Sequence, residues 1–285
     1  MPSSTAIKIA GGKVYLAQRL VALAPLHDTY LEPYLGGASF LLNKPYEGIN
    51  EIACDIDGNL MNFWDVLRHE DTFAEFQRMC HVTPFSEELW QDQDDEQLSQ
   101  GHAVERALAF FIRCRQSRSG GMTSFAPISK TRRRRGMNEQ VAAWLSAIEG
   151  LPEIHARLRR VLLVCSDGVE LLQKYDSPSM FAYLDPPYPH ETRQSKKLYK
   201  HEMTEEKHEE LLRVLGTLKG KFMLSSYPNE MYSEAMRKYG WDWLDFKIDN
   251  KLSSRKVKEL KIERVYANYV MPPPTRDLNY GASFE

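Results

Sequence analysis

The stretch Met180-Phe181-Ala182-Tyr183-Leu184-Asp185-Pro186-Pro187-Tyr188 decides how this chain is read. Its first six residues are an apolar run ended by a carboxylate. That is the length of a strand, and its continuity suits burial on both faces of a parallel sheet. Two prolines then stop it. Neither donates a backbone hydrogen bond, so the backbone there is stiff and its carbonyls are free to accept. A carboxylate, a free carbonyl and an aromatic ring in this order suit a planar amino group on a ring. Asp185 and the Pro186 carbonyl each accept one N–H, Pro187 stiffens the turn, and Tyr188 stacks on the ring. The plainer alternative is a proline-rich turn with a helix-capping aspartate.

Working outward, Val161–Cys165 reads as a companion strand of the same buried kind, and Phe222–Ser226 as another strand. Thr29–Leu31 and Ile49–Asp55 precede them, and Trp241–Ile248 and Arg264–Met271 close the chain. Helical spacing marks Val14–Ala24, the start of a helix at Ala38–Asn43, Gly58–Arg68, Thr72–His81, Ser86–Leu98 and His102–Arg115. Asn138 caps a helix through Ile148, Pro152 opens another to Arg160, Thr204 caps Glu205–Leu215, and Asn229–Lys238 follows. Strands alternating with helices at both ends predict an α/β sheet with a helical insertion in its middle. Ligands of such sheets bind beyond the carboxyl ends of the strands, which points to Gly36-Gly37, Asp55, Asp167 and Asp185.

The 285 residues suffice for about two domains. With 42% hydrophobic and 27% charged residues, the chain has the balance of a globular protein and excludes coiled coil, collagen and wholesale disorder. No apolar run approaches the ~20 residues that span a bilayer, and no signal peptide is read at the start. The cysteines Cys54, Cys80, Cys114 and Cys165 are scattered, so neither a disulfide framework nor a zinc ribbon is expected, and a cytoplasmic setting is. A net charge of −2 hides a segregated pattern. Between Ile112 and Asn138 lie Arg113, Arg115, Arg118, Lys130, Arg132, Arg133, Arg134 and Arg135, with no acidic residue. That patch reads as a nucleic-acid footprint or as a solvated basic loop. Turn residues Gly120, Gly121 and Pro127, with Thr123–Ile128 as a short strand, predict a basic hairpin over Ser117–Arg135, a shape that enters a DNA groove.

Several blocks and their order resemble the Dam-like, alpha-group, S-adenosylmethionine-dependent DNA adenine-N6 methyltransferases, over most of the chain. Lys8-Ile9-Ala10-Gly11-Gly12-Lys13 resembles the N-terminal cofactor motif of that family. Glu32-Pro33-Tyr34-Leu35-Gly36-Gly37-Ala38-Ser39-Phe40 resembles its glycine-rich loop, and Ala53-Cys54-Asp55-Ile56-Asp57 follows the second strand. The basic insertion, Cys165-Ser166-Asp167 and Asp185-Pro186-Pro187-Tyr188 come next, as in the family. The resemblance implies a Rossmann-like methyltransferase sheet built from 1–68 and 161–271. A mainly helical DNA-recognition insertion over 69–160 carries the basic hairpin, and a tail covers 272–285.

It also implies S-adenosylmethionine as cofactor, no metal, double-stranded DNA as partner, no membrane, and a bacterial or phage-encoded source. Asp55 is expected to meet the ribose hydroxyls, with Asp57 a competitor more suited to a helix start. Asp167 has two readings, acceptor for the cofactor's adenine amino group or turn aspartate before Gly168. Ala10, Gly11 and Gly12 allow close approach, Lys13 meets the cofactor's carboxylate, and Lys8 faces DNA. Arg118, Ser119, Thr123 and Ser124 are expected at base edges, and Lys130 with Arg132, Arg133, Arg134 and Arg135 mainly at phosphates. Three departures stand out: Ile9 replaces an aromatic residue, Ala38 replaces the last glycine of the loop, and Ser225-Ser226-Tyr227 replaces Ser-Asn. No cysteine follows a proline, which argues against C5-cytosine chemistry. An RNA guanine-N2 methyltransferase and a silent DNA-binding methyltransferase fold are the alternative readings.

Overall fold

The computed structural model describes residues 6–9, 12–189, 201–249 and 260–273. The expected roles of Ala10, Gly11 and the tail beyond 273 lie outside these residues. Seven strands form the main sheet: β1 Thr29–Glu32, β2 Asn50–Asp55, β5 Leu162–Cys165, β6 Met180–Leu184, β7 Lys221–Ser226, β8 Asp242–Asp249 and β9 Leu260–Ala267. Between β2 and β5, a two-stranded ribbon is made by β3 Arg133–Arg134 and β4 Met137–Asn138. The main sheet runs β5-β2-β1-β6-β7-β9-β8. Pairing is parallel from β5 to β7, and β9 lies antiparallel between β7 and β8. Chain order therefore reverses between β1 and β6. At such a switch point the loops leaving the two strands diverge and open a crevice.

Burial follows position in the sheet. All five residues of β6 are buried, as the apolar run predicts. β5 does not match its reading as a strand covered on both faces. It is an edge strand paired to β2 alone, and Leu162 is 47% exposed. The last strand also sits earlier than its apolar pattern suggests. Beyond Ala267 the Asn268 side chain binds the Phe222 N–H and the Gly220 carbonyl (both 2.9 Å), which turns the chain off the sheet.

The helices are α1 Ala17–Val21, α2 Ser39–Asn43, α3 Gly58–Arg68, α4 Glu70–Val82, α5 Glu87–Gln91, α6 Asp95–Ser99, α7 Ala103–Arg115, α8 Glu139–Glu149, α9 Leu151–Leu158, α10 Gly168–Tyr175, α11 Glu205–Leu215 and α12 Glu230–Tyr239. Caps set several starts: Asp57, Asn138, Asp167, Thr204 and Asn229 each accept a backbone N–H of the first turn. The single helix read over Ser86–Leu98 is two short ones. Asp94 accepts the Gln97 N–H at 3.1 Å and starts the second afresh. Helices α4–α9 fall within the expected insertion, 69–160, and share one core with the sheet. Phe63 on α3 stacks on Phe111 of α7 (5.8 Å between ring centres), and Phe111 meets Trp144 of α8. Among the described residues no helix is long and apolar enough to cross a membrane.

Candidate active site

Beyond the carboxyl ends of β1, β2, β5 and β6 lies a cavity of about 760 Å³. Gly12, Lys13, Glu32, Pro33, Tyr34, Gly36, Gly37, Ser39, Asp55, Ile56, Asp167 and Asp185 all line it. Pro187 and Thr123 line it too. The insertion supplies the facing wall through Phe110, Arg113, Cys114 and Gly120–Thr123, and His201–Met203 and Lys207 close a further side. A sheet edge and an inserted unit thus enclose one space.

The glycine turn after β1 is held from two sides. Asp55 accepts the Gly36 N–H at 3.0 Å, and the Trp64 indole donates to the Gly36 carbonyl at 3.1 Å. Gly36 needs its freedom, since its φ is +46°. Ala38 is left-handed as well (φ 56°), so alanine occupies a glycine conformation here. It is fully buried and forms the start of α2 rather than the cavity wall.

Asp55 also accepts the Asp57 N–H at 3.0 Å, and burial raises its pKa. Asp57 itself caps α3, in line with its reading as a helix-start residue. Asp167 caps α10, its Oδ1 accepting the Val169 N–H at 2.8 Å, and it also lines the cavity. Glu32 is buried and accepts from the Tyr30 hydroxyl (2.6 Å) and the Leu41 N–H (3.0 Å), both on Oε2. Burial outweighs these bonds and pushes its pKa up to about 8.

The floor of the site differs from the expectation in two respects. Lys13 grips Asp185, with Nζ 2.9 Å and 3.1 Å from its two carboxylate oxygens. The side chains are 4% and 22% exposed. Burial opposes the charge of Lys13, but Asp185 and Glu263 outweigh it and hold the ammonium well above the ordinary lysine value. Tyr188 does not offer an open ring to a base. It is 4% exposed, with the Lys13 ammonium 4.7 Å from its ring centre and the Tyr227 ring edge-on at 4.8 Å. Its hydroxyl lies 3.1 Å from Asp185 and also bonds Glu263. Pro186 is buried beside it and does not line the cavity. Sequence reasoning misses Glu263, because it sits in an ordinary-looking Lys-Ile-Glu-Arg run with no motif around it.

The basic segment holds two small structures in place of one hairpin. Thr123–Ile128 is no strand. Arg118 N–H bonds the Ser124 carbonyl (2.9 Å), Ala126 N–H bonds the Gln116 carbonyl (2.8 Å), and a single bridge joins Ser117 to Phe125. Gly120 is packed against the backbone of Lys8, where a Cβ would collide with the carbonyl group. Lys8 is thus half-buried and its N-terminal segment is docked on the insertion. Arg118, Ser119, Thr123 and Ser124 are exposed around this loop. The true hairpin is β3–β4, turning at Arg135-Gly136 with φ of 56° and 77°, the mark of a type I′ turn. Lys130, Arg132, Arg133 and Arg134 are exposed on and beside it. Arg135 pairs with Glu149 (2.7 Å), and Arg132 lies 3.9 Å from Glu139.

Acidic side chains thus gather at the switch point with Asp185 among them, and the exposed arginines stand on a separate hairpin. A family model described as D12 class N6 adenine-specific DNA methyltransferase matches residues 10–264. Two proteins named DNA adenine methylase, from classical Ogawa and El Tor Inaba strains of Vibrio cholerae serotype O1, are each 25% identical over 187 residues. That similarity covers 64% of this chain and 64% of each relative, so the chain spans less than two thirds of the curated relatives it matches. With a match running from the N-terminal glycine block through to β9, the chain belongs to the D12 class of N6 adenine-specific DNA methyltransferases.

Proposed function

We propose that this protein transfers a methyl group from S-adenosylmethionine to N6 of adenine in double-stranded DNA, the target base being turned out of the duplex. The observation that carries the reading is the placement of Asp185 at the switch point, on the floor of a cavity shared by sheet and insertion.

The donor set suits this cofactor. Asp55 and Asp167 have carboxylates at the ends of β2 and β5, and Ile56, next to Asp55, is exposed in the cavity wall. Hydroxyl and amino donors on a flat apolar ring match that arrangement, with Asp55 at the ribose and Asp167 at the adenine amino group. Acidic side chains outnumber basic ones along the cavity wall, which favours a ligand of positive charge. When bound, S-adenosylmethionine supplies an electrophilic methyl group and leaves as S-adenosylhomocysteine.

The chain's own residues prepare the nucleophile. The lone pair of adenine N6 is delocalised into its ring and attacks poorly. Asp185 accepts one of its two N–H groups and favours a more tetrahedral nitrogen. Holding the two reactants in line is worth ~7–11 kcal/mol at best. Turning the base out costs a few kcal/mol. Outside the cavity, Arg133 and Arg134 on β3 and Lys130 beside it meet phosphates, while Arg118 on the neighbouring loop is placed for base edges. We assign 69–160 to recognition and the sheet to chemistry.

Asp185→Ala tests the reading. The variant should bind cofactor within about threefold of the parent and lose about 10³-fold or more in single-turnover transfer to duplex DNA. Transfer within about tenfold of the parent would remove Asp185 from the mechanism.

A further inference from the structure

Glu263 lies in mid-strand on β9, opposite Phe246 of β8, and its side chain is 1% exposed. A carboxyl in that setting needs partners to be tolerated. It has two. The Tyr188 hydroxyl bonds it, and Lys13 Nζ lies 3.5 Å away. Lys13 is at the same time closer to Asp185, at 2.9 Å. One buried ammonium therefore sits between two carboxylates, pulled toward the one on the cavity floor. Glu263 itself does not line the cavity.

The proposed reaction makes a demand on this cluster. Asp185 must accept from the target amino group, while Lys13 lies on both of its oxygens and Tyr188 on one, so a looser grip on Lys13 frees the carboxylate for the base. A buried ammonium that loses its carboxylate without replacement is strongly disfavoured. Glu263 offers the replacement. A shift of a fraction of an ångström would bring Lys13 from 3.5 Å to the ordinary length of a charge-assisted bond. We propose that Glu263 is a positioning residue that takes over Lys13 as the target amino group claims Asp185. The Tyr188 hydroxyl reaches both carboxylates and donates its one proton to whichever Lys13 has left. Only hydrogen bonds are exchanged. No covalent bond forms or breaks, and each group keeps its proton.

This inference rests on the role given to Asp185, and the experiment separates the two. Single-turnover transfer to duplex DNA is measured with Glu263→Gln and Glu263→Asp at saturating S-adenosylmethionine, with cofactor affinity measured by calorimetry. Glu263→Gln keeps a hydrogen-bonding partner for Tyr188 but removes the charge. It should slow transfer about 100-fold while leaving cofactor affinity within about threefold. Glu263→Asp should recover about tenfold or more of that loss. A Gln variant within about threefold of the parent, a loss that Asp fails to recover, or a loss confined to affinity overturns the proposal. If Glu263→Gln does not fold, the double variant Lys13→Met/Glu263→Gln removes the cation with its partner and should fold. Should it also fail, Glu263 is structural and the inference falls. A parent enzyme that never methylates adenine would instead overturn the underlying function.

Discussion

The floor of the cavity and the basic hairpin hold the same kinds of side chain in opposite settings. Lys13, Asp185 and Glu263 are drawn together out of water, each fixed by the others. Arg132, Arg133 and Arg134 stand exposed on a two-residue strand and its approach, and Arg135 makes a solvent-facing pair with Glu149. In the first setting a change of partner alters the energy of the whole cluster, because little water screens it. In the second each charge acts nearly alone and is screened by salt. Buried charge of this kind can time a chemical event, and exposed charge can hold a polyanion without committing to one geometry. On the proposed function the two regions divide the work accordingly.

The largest effects are expected on the sheet side. Asp55→Ala should weaken S-adenosylmethionine by about 10²-fold or more, since charge-assisted hydrogen bonds of ~1.5–3 kcal/mol each are removed. The same carboxylate holds the Gly36 N–H, so the turn after β1 loosens as well. Calorimetry that finds unchanged affinity would break the assignment and move it to Asp57.

On the insertion side the effects should be smaller and should depend on salt. Arg133→Ala and Arg134→Ala should each weaken target and scrambled duplexes alike. Each should flatten the log–log salt slope by about one for every phosphate that the arginine neutralises. Arg135→Ala should do less, because that guanidinium is already engaged by Glu149. Binding isotherms over a salt series decide this. An Arg133 effect confined to the target sequence, or independent of salt, would make that residue a base reader.

The smallest effect concerns a rule broken beside the cavity. Ala38 holds a left-handed backbone that costs an L-residue about 1–2 kcal/mol. Ala38→Gly should raise stability by up to about 1 kcal/mol, part of the relief being offset by the unfolded-state entropy of glycine. A lower melting temperature would show that the buried methyl contributes more by packing than it costs in strain.

Much of the sheet edge is legible in the sequence because backbone rules write it there. The uninterrupted run of β6, the prolines that end it and the glycines after β1 each follow from local geometry. The helix starts at Asp57, Asn138 and Thr204 are local as well. What stays hidden depends on which segments meet in space. Lys13 and Asp185 are far apart in the chain, and Glu263 joins them only because β9 inserts between β7 and β8. A glycine pair is the stronger turn signal, so sequence favours a hairpin at Gly120-Gly121. The fold uses that pair to pack against Lys8 and makes its type I′ turn from Arg135-Gly136, a less usual choice. Edge position escapes the reading of β5, since an apolar run does not reveal how many neighbours it will have.

The division of labour between a chemical floor and a recognising insertion is tested most directly by mapping the product. Unmethylated DNA of known sequence is treated with the protein and S-adenosylmethionine, and modified bases are located at single-base resolution. Methyl groups are expected on adenine N6, confined to one short recurring sequence. Methylation of cytosine, transfer only to RNA, or adenine methylation scattered without a common sequence would contradict that division.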